Sequence, residues 1–183
     1  MSDEFFQRLV AIRRDLHRHP ELSFQEKRTA KQIEKALTGL GIKSRRVAGT
    51  GVVAEIPAAA GGIEGPMVAL RADTDALPIQ EETGLEYASV NNGVMHACGH
   101  DGHTAMVLGA AEMLSKDGNL PVPVRLVFQP AEERGSGALA MIDAGVLDGV
   151  DMIFGGHVDR HYPTGQIVAH AGAVNASTDS FRI

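Results

Sequence analysis

At 183 residues the chain is long enough for one domain around a single core, and its 44% hydrophobic and 22% charged content is that of a folded globular protein, which excludes a disordered chain. A net charge of −6, from 17 basic and 23 acidic residues, argues against nucleic acid as a partner. One cysteine cannot close an intramolecular disulfide, and no stretch reaches the roughly 18 consecutive apolar residues of a membrane span, so a soluble, cytoplasmic protein with no membrane partner is predicted.

Phe5, Phe6, Leu9, Val10, Ile12 and Leu16 recur at three- and four-residue spacing, which predicts a first amphipathic helix stopped by Pro20. This opening stretch is punctuated by charge and lacks the apolar run of about 7 to 15 residues of a signal peptide. A second helix is expected from about Ser23, with Ser23 and Glu26 as a capping box, through Leu40, with Gly39 and Gly41 marking its end. "AAAGGIEG" at 58–65 reads as a surface loop joining two strands.

"GVVAEIP", "PMVALRAD", "PVRLVFQP" and "VDMIFGGHV" are short, apolar, β-branched-rich runs bounded by Gly, Pro or Asp, the pattern of buried strands. "HTAMVLGAAEMLSK" and "GALAMIDAGVL" between them have helical spacing. The alternation predicts an α/β fold with a mixed, largely parallel sheet and helices on both faces. Residues 165–183 read as two β-like pieces separated by small residues, ending as a strand begins.

Ligand sites in open α/β sheets form beyond the carboxyl ends of the strands. Four polar clusters fall at such exits: Asp73 and Asp75; His96, Cys98, His100, Asp101 and His103; Glu132 and Glu133; and His157. Taken singly, the aspartates fit a turn, the glutamates a helix start, and His157 a satisfied interior histidine. The cluster around Cys98 is harder to treat as bland, because a thiol, imidazoles and a carboxylate crowded within nine residues are costly unless something holds the charges. A site for zinc, manganese or nickel accounts for it, and also gives tasks to the glutamates, Asp75 and His157. A nucleophilic Cys98 with a histidine base is the rival reading. If Glu133 grips a cation, its neighbour Glu132 is free to shuttle a proton, which requires a turn or helix start after Pro130, because neighbours in a strand point to opposite faces.

"LHRHPELSFQEKRTA", "LRADTDALPIQEETGLEYAS", "MHACGHDGHTAMVLGAA", "VRLVFQPAEERGSGALAMIDAGVL" and "GGHVDRHYPTGQI", in that order, resemble the metal-dependent amidohydrolases that include hippurate hydrolases, N-acyl-amino-acid deacylases and indole-acetyl-amino-acid hydrolases. The resemblance implies a zinc-exopeptidase-like catalytic domain with two divalent metal ions (Mn, Zn or Ni), and hydrolysis of small N-acyl amino acid substrates. It implies Cys98, His100, Glu133 and His157 as metal ligands, with Cys98 a bridge or donor in the pair. Glu132 would be the general base, and Asp75 would orient a metal-binding group. Asp73, Asp101 and His103 are read as supporting residues, and His17 and His19 as packing and capping residues.

Members of the family are about twice as long. The resemblance therefore implies that residues 1–175 are the N-terminal part of the catalytic domain and 176–183 the start of a lid domain. That lid would bring dimer contacts and an oxyanion-stabilising histidine, and the chain returning from it a further ligand, so weak or absent activity is expected of this chain. Homo-oligomer formation is left open. The alternative is a catalytically impaired fragment or metal-binding remnant.

Overall fold

The computed structural model describes residues 2–59, 66–169 and 171–172. Two helices lead. α1 (Asp3–Arg18) is capped by Ser2, whose Oγ accepts the Phe5 amide at 3.3 Å, and carries Asp3 and Glu4 in its first turn and His17 and Arg18 in its last, complementing the helix dipole. α2 (Lys27–Gly39) starts later than its sequence suggests. Glu26 occupies the cap position but makes no capping bond, and Ser23 bonds elsewhere, so the capping-box expectation is corrected. The helix ends ahead of Gly41 at φ 75°, a left-handed position.

Five strands follow: β1 (Ser44–Val47), β2 (Gly51–Ile56), β3 (Met67–Asp73), β4 (Val124–Gln129) and β5 (Val150–Gly155), with α3 (His100–Asp117) between β3 and β4 and α4 (Gly137–Asp143) between β4 and β5. They form one mixed sheet in the order β1-β2-β4-β3-β5. The β1–β2 and β2–β4 pairs are antiparallel; β4–β3 and β3–β5 are parallel. β1 has no apolar run, and only its hairpin with β2 makes it a strand. Of the loop expected at 58–65, residues 60–65 lie outside the described residues, as do 170 and 173–183. Residues 166–169 have no regular structure.

One sheet face packs Val52, Ala54, Leu126 and Phe128 against Ile33 and Leu37 of α2 and Leu108 and Ala111 of α3. The opposite face gathers Val53, Ala69 and Val127 under Met141 of α4 and Val146. β4, buried at every position, is the centre. β5 is an edge, and its Met152, Ile153 and Phe154 are exposed.

The architecture places the carboxyl ends of the parallel strands β3, β4 and β5 along one rim, at Asp73, Gln129 and Gly155. α1 is tied to that rim by His17, which is 3% exposed and bonds through Nδ1 to Asp101 Oδ2 at 2.9 Å and through Nε2 to Glu81 Oε1 at 3.2 Å. Both acceptors are carboxylates, an arrangement that favours the cationic ring, which donates from both nitrogens. The bond from Asp101 raises the His17 pKa; burial opposes it, and Glu81 reinforces the rise. Arg13 adds an ion pair to Asp101 at 2.7 Å and, with Arg14, flanks the Tyr87 ring.

A histidine whose pKa rises on folding stabilises fully below its unfolded value of about 6.5, and the contribution is lost as pH rises through the folded value. Urea unfolding at a series of pH values is expected to show this loss in the native chain and to show it flattened in His17→Gln. Equal slopes in the two proteins would contradict the imidazolium bridge.

Candidate metal centre

β3 ends in Asp73 and the chain turns sharply enough to place Asp75 beneath the start of α3. Gly99, at φ 90°, lets the chain enter α3 directly after Cys98, so that His100 is the first helical residue. Beyond β4, Pro130 and Ala131 turn the chain into a single 3-10 turn, Glu132–Arg134. Both glutamates thereby face the rim, as a proton-shuttle arrangement demands. Gly137 permits the turn, since a Cβ there would run into the Pro130 carbonyl.

Ligand-type atoms of Cys98, His100 and Glu133 lie within 4.8 Å of one another. His157 joins from the loop after β5, with Nε2 3.4 Å from Cys98 Sγ. Three of the four residues implied as metal ligands therefore share one cluster, and His157 reaches it through Cys98. Glu132 is beside them, with Oε2 3.9 Å from His100 Nε2, and its side chain is 41% exposed against 22% for Glu133.

His100 shows what the cluster needs. It is 1% exposed, and its Nδ1–H donates to the Asp75 carbonyl at 2.9 Å, which leaves Nε2 as the atom turned toward the cluster. Nε2 is buried without a hydrogen-bond partner, while Asp73 Oδ2, Glu133 Oε1 and Glu132 Oε2 surround it at 3.5, 3.8 and 3.9 Å. The other ring also turns an Nε2 inward: His157 Nδ1 donates to the Val158 carbonyl at 2.7 Å. An imidazole nitrogen, a thiol and a carboxylate gathered within 4.8 Å, with a second imidazole beside the thiol, suit a borderline divalent cation.

The electrostatics agree. Burial, then Glu133, pushes the Cys98 thiol up to about 12. Burial also raises the Glu133 carboxyl, with Glu132 and Asp75 adding to the rise against the opposing charge of His100. Burial would lower His100, but Asp75, Asp73 and Glu133 prevail and its pKa is raised. The His157 contact is also the pairing a nucleophilic Cys98 would need, but burial and Glu133 work against ionisation of the thiol.

Asp75 organises the glutamate turn. Its carboxylate accepts the backbone amides of Glu132 at 3.0 Å and Glu133 at 3.1 Å, and the Ser23 hydroxyl at 2.6 Å. Burial works to raise its pKa, but these bonds and the one from His100 outweigh it and leave it lowered. Asp73 is held at about 2: burial opposes ionisation, and His103, His100 and Arg71 overcome it.

Other motif residues lie apart. Asp101 turns away to His17 and Arg13. His96 is buried with no partner on either nitrogen, and burial drives its pKa down to about 4. His19 caps α1, bonding to the Asp15 carbonyl.

Glu26 is a contributor that sequence reasoning missed. Fully buried, it accepts the Ala131 amide at 2.9 Å and the Thr50 hydroxyl. It thus pins the residue before Glu132 in a left-handed conformation, φ 49°. Its one sequence signal, a glutamate shortly before an amphipathic helix, pointed to capping instead.

A match to peptidase family M20/M25/M40 spans residues 69–180. N-acetylcysteine deacetylase of Bacillus subtilis is 49% identical over all of this chain and 48% of that protein. N-acyl-L-amino acid amidohydrolase of Geobacillus stearothermophilus is 46% identical over all of this chain and 50% of that protein. Among solved structures, the YXEP protein of Bacillus subtilis, a dinuclear metal binding peptidase from the M20 family, superposes with a TM-score of 0.84 at 49% identity, over 88% of this chain and 45% of that one. The chain spans about half the length of the curated relatives it matches.

Two outcomes are expected of this geometry. Glu26→Ala leaves the Ala131 amide unsatisfied, and urea denaturation should show a loss of about 1 to 3 kcal/mol; an unchanged midpoint would contradict the pinning role. Binding of Zn2+ or Mn2+ should release protons, so affinity should strengthen from about pH 6 to about pH 8. A pH-independent affinity would contradict a centre built on Cys98 and His100.

Proposed function

The chain belongs to peptidase family M20/M25/M40, and from that membership we propose that it carries the cation-binding and proton-shuttling part of an amidohydrolase acting on N-acylated amino acids. The observation that carries the proposal is the buried, unpartnered His100 Nε2 facing three carboxylates. In this reading Cys98, His100, Glu133 and His157 hold the cations, two by likeness to the YXEP protein and of the manganese, zinc or nickel type. The substrate class follows the named relatives, a deacetylase and an acyl-amino-acid amidohydrolase. Residues 1–175 would be catalytic-domain sequence, with a lid beginning near 176.

Bound divalent cations supply a Lewis acid that polarises the amide carbonyl and makes water more acidic. Glu132, the more open of the two glutamates, takes a proton from the water whose oxygen attacks the acyl carbon. As the carbon–nitrogen bond breaks, Glu132 returns that proton to the departing amine. The products are a carboxylic acid and a free amino acid. Asp75 keeps Glu132 and Glu133 in register by holding their adjacent amides, and fixes the His100 ring through its own carbonyl.

A second reading is a cation-binding remnant without turnover, and the exposed Met152, Ile153 and Phe154 on β5 are the observation behind it. Incubation with N-acetyl amino acids and Mn2+, Zn2+ or Ni2+ separates the two. The leading reading predicts slow, metal-dependent release of amino acid that falls at least about 100-fold in Glu132→Gln with metal retained. Metal bound without any release selects the remnant. Release that survives chelator or Glu132→Gln contradicts the proposed mechanism.

A further inference from the structure

Asp73, His100 and His103 also place ligand-type atoms within 4.8 Å of one another, a buried group beside the cluster assigned to the cations. The bonds of His103 give it a different task. Its Nδ1 is 2.6 Å from Asp73 Oδ1, and its Nε2 accepts the backbone N–H of Val158 at 2.9 Å. An amide N–H can only donate, so Nε2 carries a lone pair and the ring proton sits on Nδ1, directed at the carboxylate. No ring nitrogen is left to ligate a cation. Asp73 is itself fixed, by Arg71 on Oδ2 at 2.8 Å.

The recipient of this anchor is the segment that carries His157. Val158 rests on Gly99, where a Cβ would collide with its side chain, so the loop after β5 is seated both on the bare backbone at the start of α3 and on a ring one turn further along. The His157 and His103 rings meet edge to face, with centroids 4.7 Å apart. Residues 156–169 are exposed, and among the described residues these interactions and the Cys98–His157 contact tie the loop to the start of α3.

We propose that His103 is a positioning residue for His157: Asp73 orients the ring, the ring captures the Val158 amide, and the captured loop holds His157 Nε2 toward Cys98. The consequence for cations rests on the metal-site reading above; the hydrogen-bonded relay does not.

Two measurements keep those claims separate. In the metal-free native chain at neutral pH, nitrogen-15 spectra of His103 should show a protonated Nδ1 and an unprotonated Nε2 coupled across the hydrogen bond to the Val158 amide. That amide should be slow to exchange, and His103→Leu should release it while amides in the middle of α3 stay protected. The reverse tautomer, or a Val158 amide that exchanges freely in the native chain, overturns the relay whether or not metal binds. In Zn2+ titrations, His103→Leu and Val158→Pro, which removes the N–H together with the side chain that rests on Gly99, should each weaken binding about 10- to 100-fold. In a His157→Ala background neither should weaken it further. Equal losses in both backgrounds would make His103 a ligand or a general structural support and overturn the proposal. A native chain that binds no Zn2+ would refute the metal-site reading and leave the relay to the spectra.

Discussion

The structure turns on one unsatisfied atom. His100 Nε2 is buried against Asp73, Glu132 and Glu133 and has no hydrogen-bond partner. Glu132 and Asp75 both act to raise the Glu133 carboxyl pKa, the mark of carboxylates crowded together. Several carboxylates and a thiol around one imidazole are therefore not there for stability. Asp75, Asp73 and Glu133 raise the His100 pKa against burial, which shows the demand for positive charge that a divalent cation would answer.

The arrangement is held from behind by groups that never reach the cluster. Asp75 binds the amides of both glutamates and is itself bound by Ser23. Glu26 binds the amide just before them. A buried carboxylate is expensive unless its oxygens are satisfied, and both oxygens of Glu26 are. The segment between α1 and α2 thus acts as a clip on a turn more than 100 residues away, while His17 fastens α1 to Asp101, the neighbour of His100. Order in the first 30 residues is a condition of the geometry at the rim.

Much of this was legible in the sequence. β2, β3, β4 and β5 are apolar runs with clear punctuation, and strand exits in an α/β sheet are where chemistry gathers, so Cys98, His100, Glu132, Glu133 and His157 could be named and brought to one rim. The division of labour between adjacent glutamates demanded a turn after Pro130, and a 3-10 turn is there. What could not be read depends on long-range pairing. β1 is a strand only because β2 lies beside it. Ser23 and Glu26 have the spacing of a capping box, yet tertiary partners, Asp75 for one and Ala131 with Thr50 for the other, take both side chains. The two antiparallel pairings of β2 are likewise invisible in an alternation of strands and helices.

The central claim, that Cys98 and His100 share a cation with Glu133 and His157, is tested most directly by X-ray absorption of the zinc-loaded chain. The account predicts a sulfur scatterer at about 2.3 Å together with nitrogen or oxygen scatterers at about 2.0 to 2.2 Å, the sulfur vanishing in Cys98→Ala. A zinc shell of nitrogen and oxygen alone in the native chain, or a spectrum indifferent to Cys98→Ala, would contradict it.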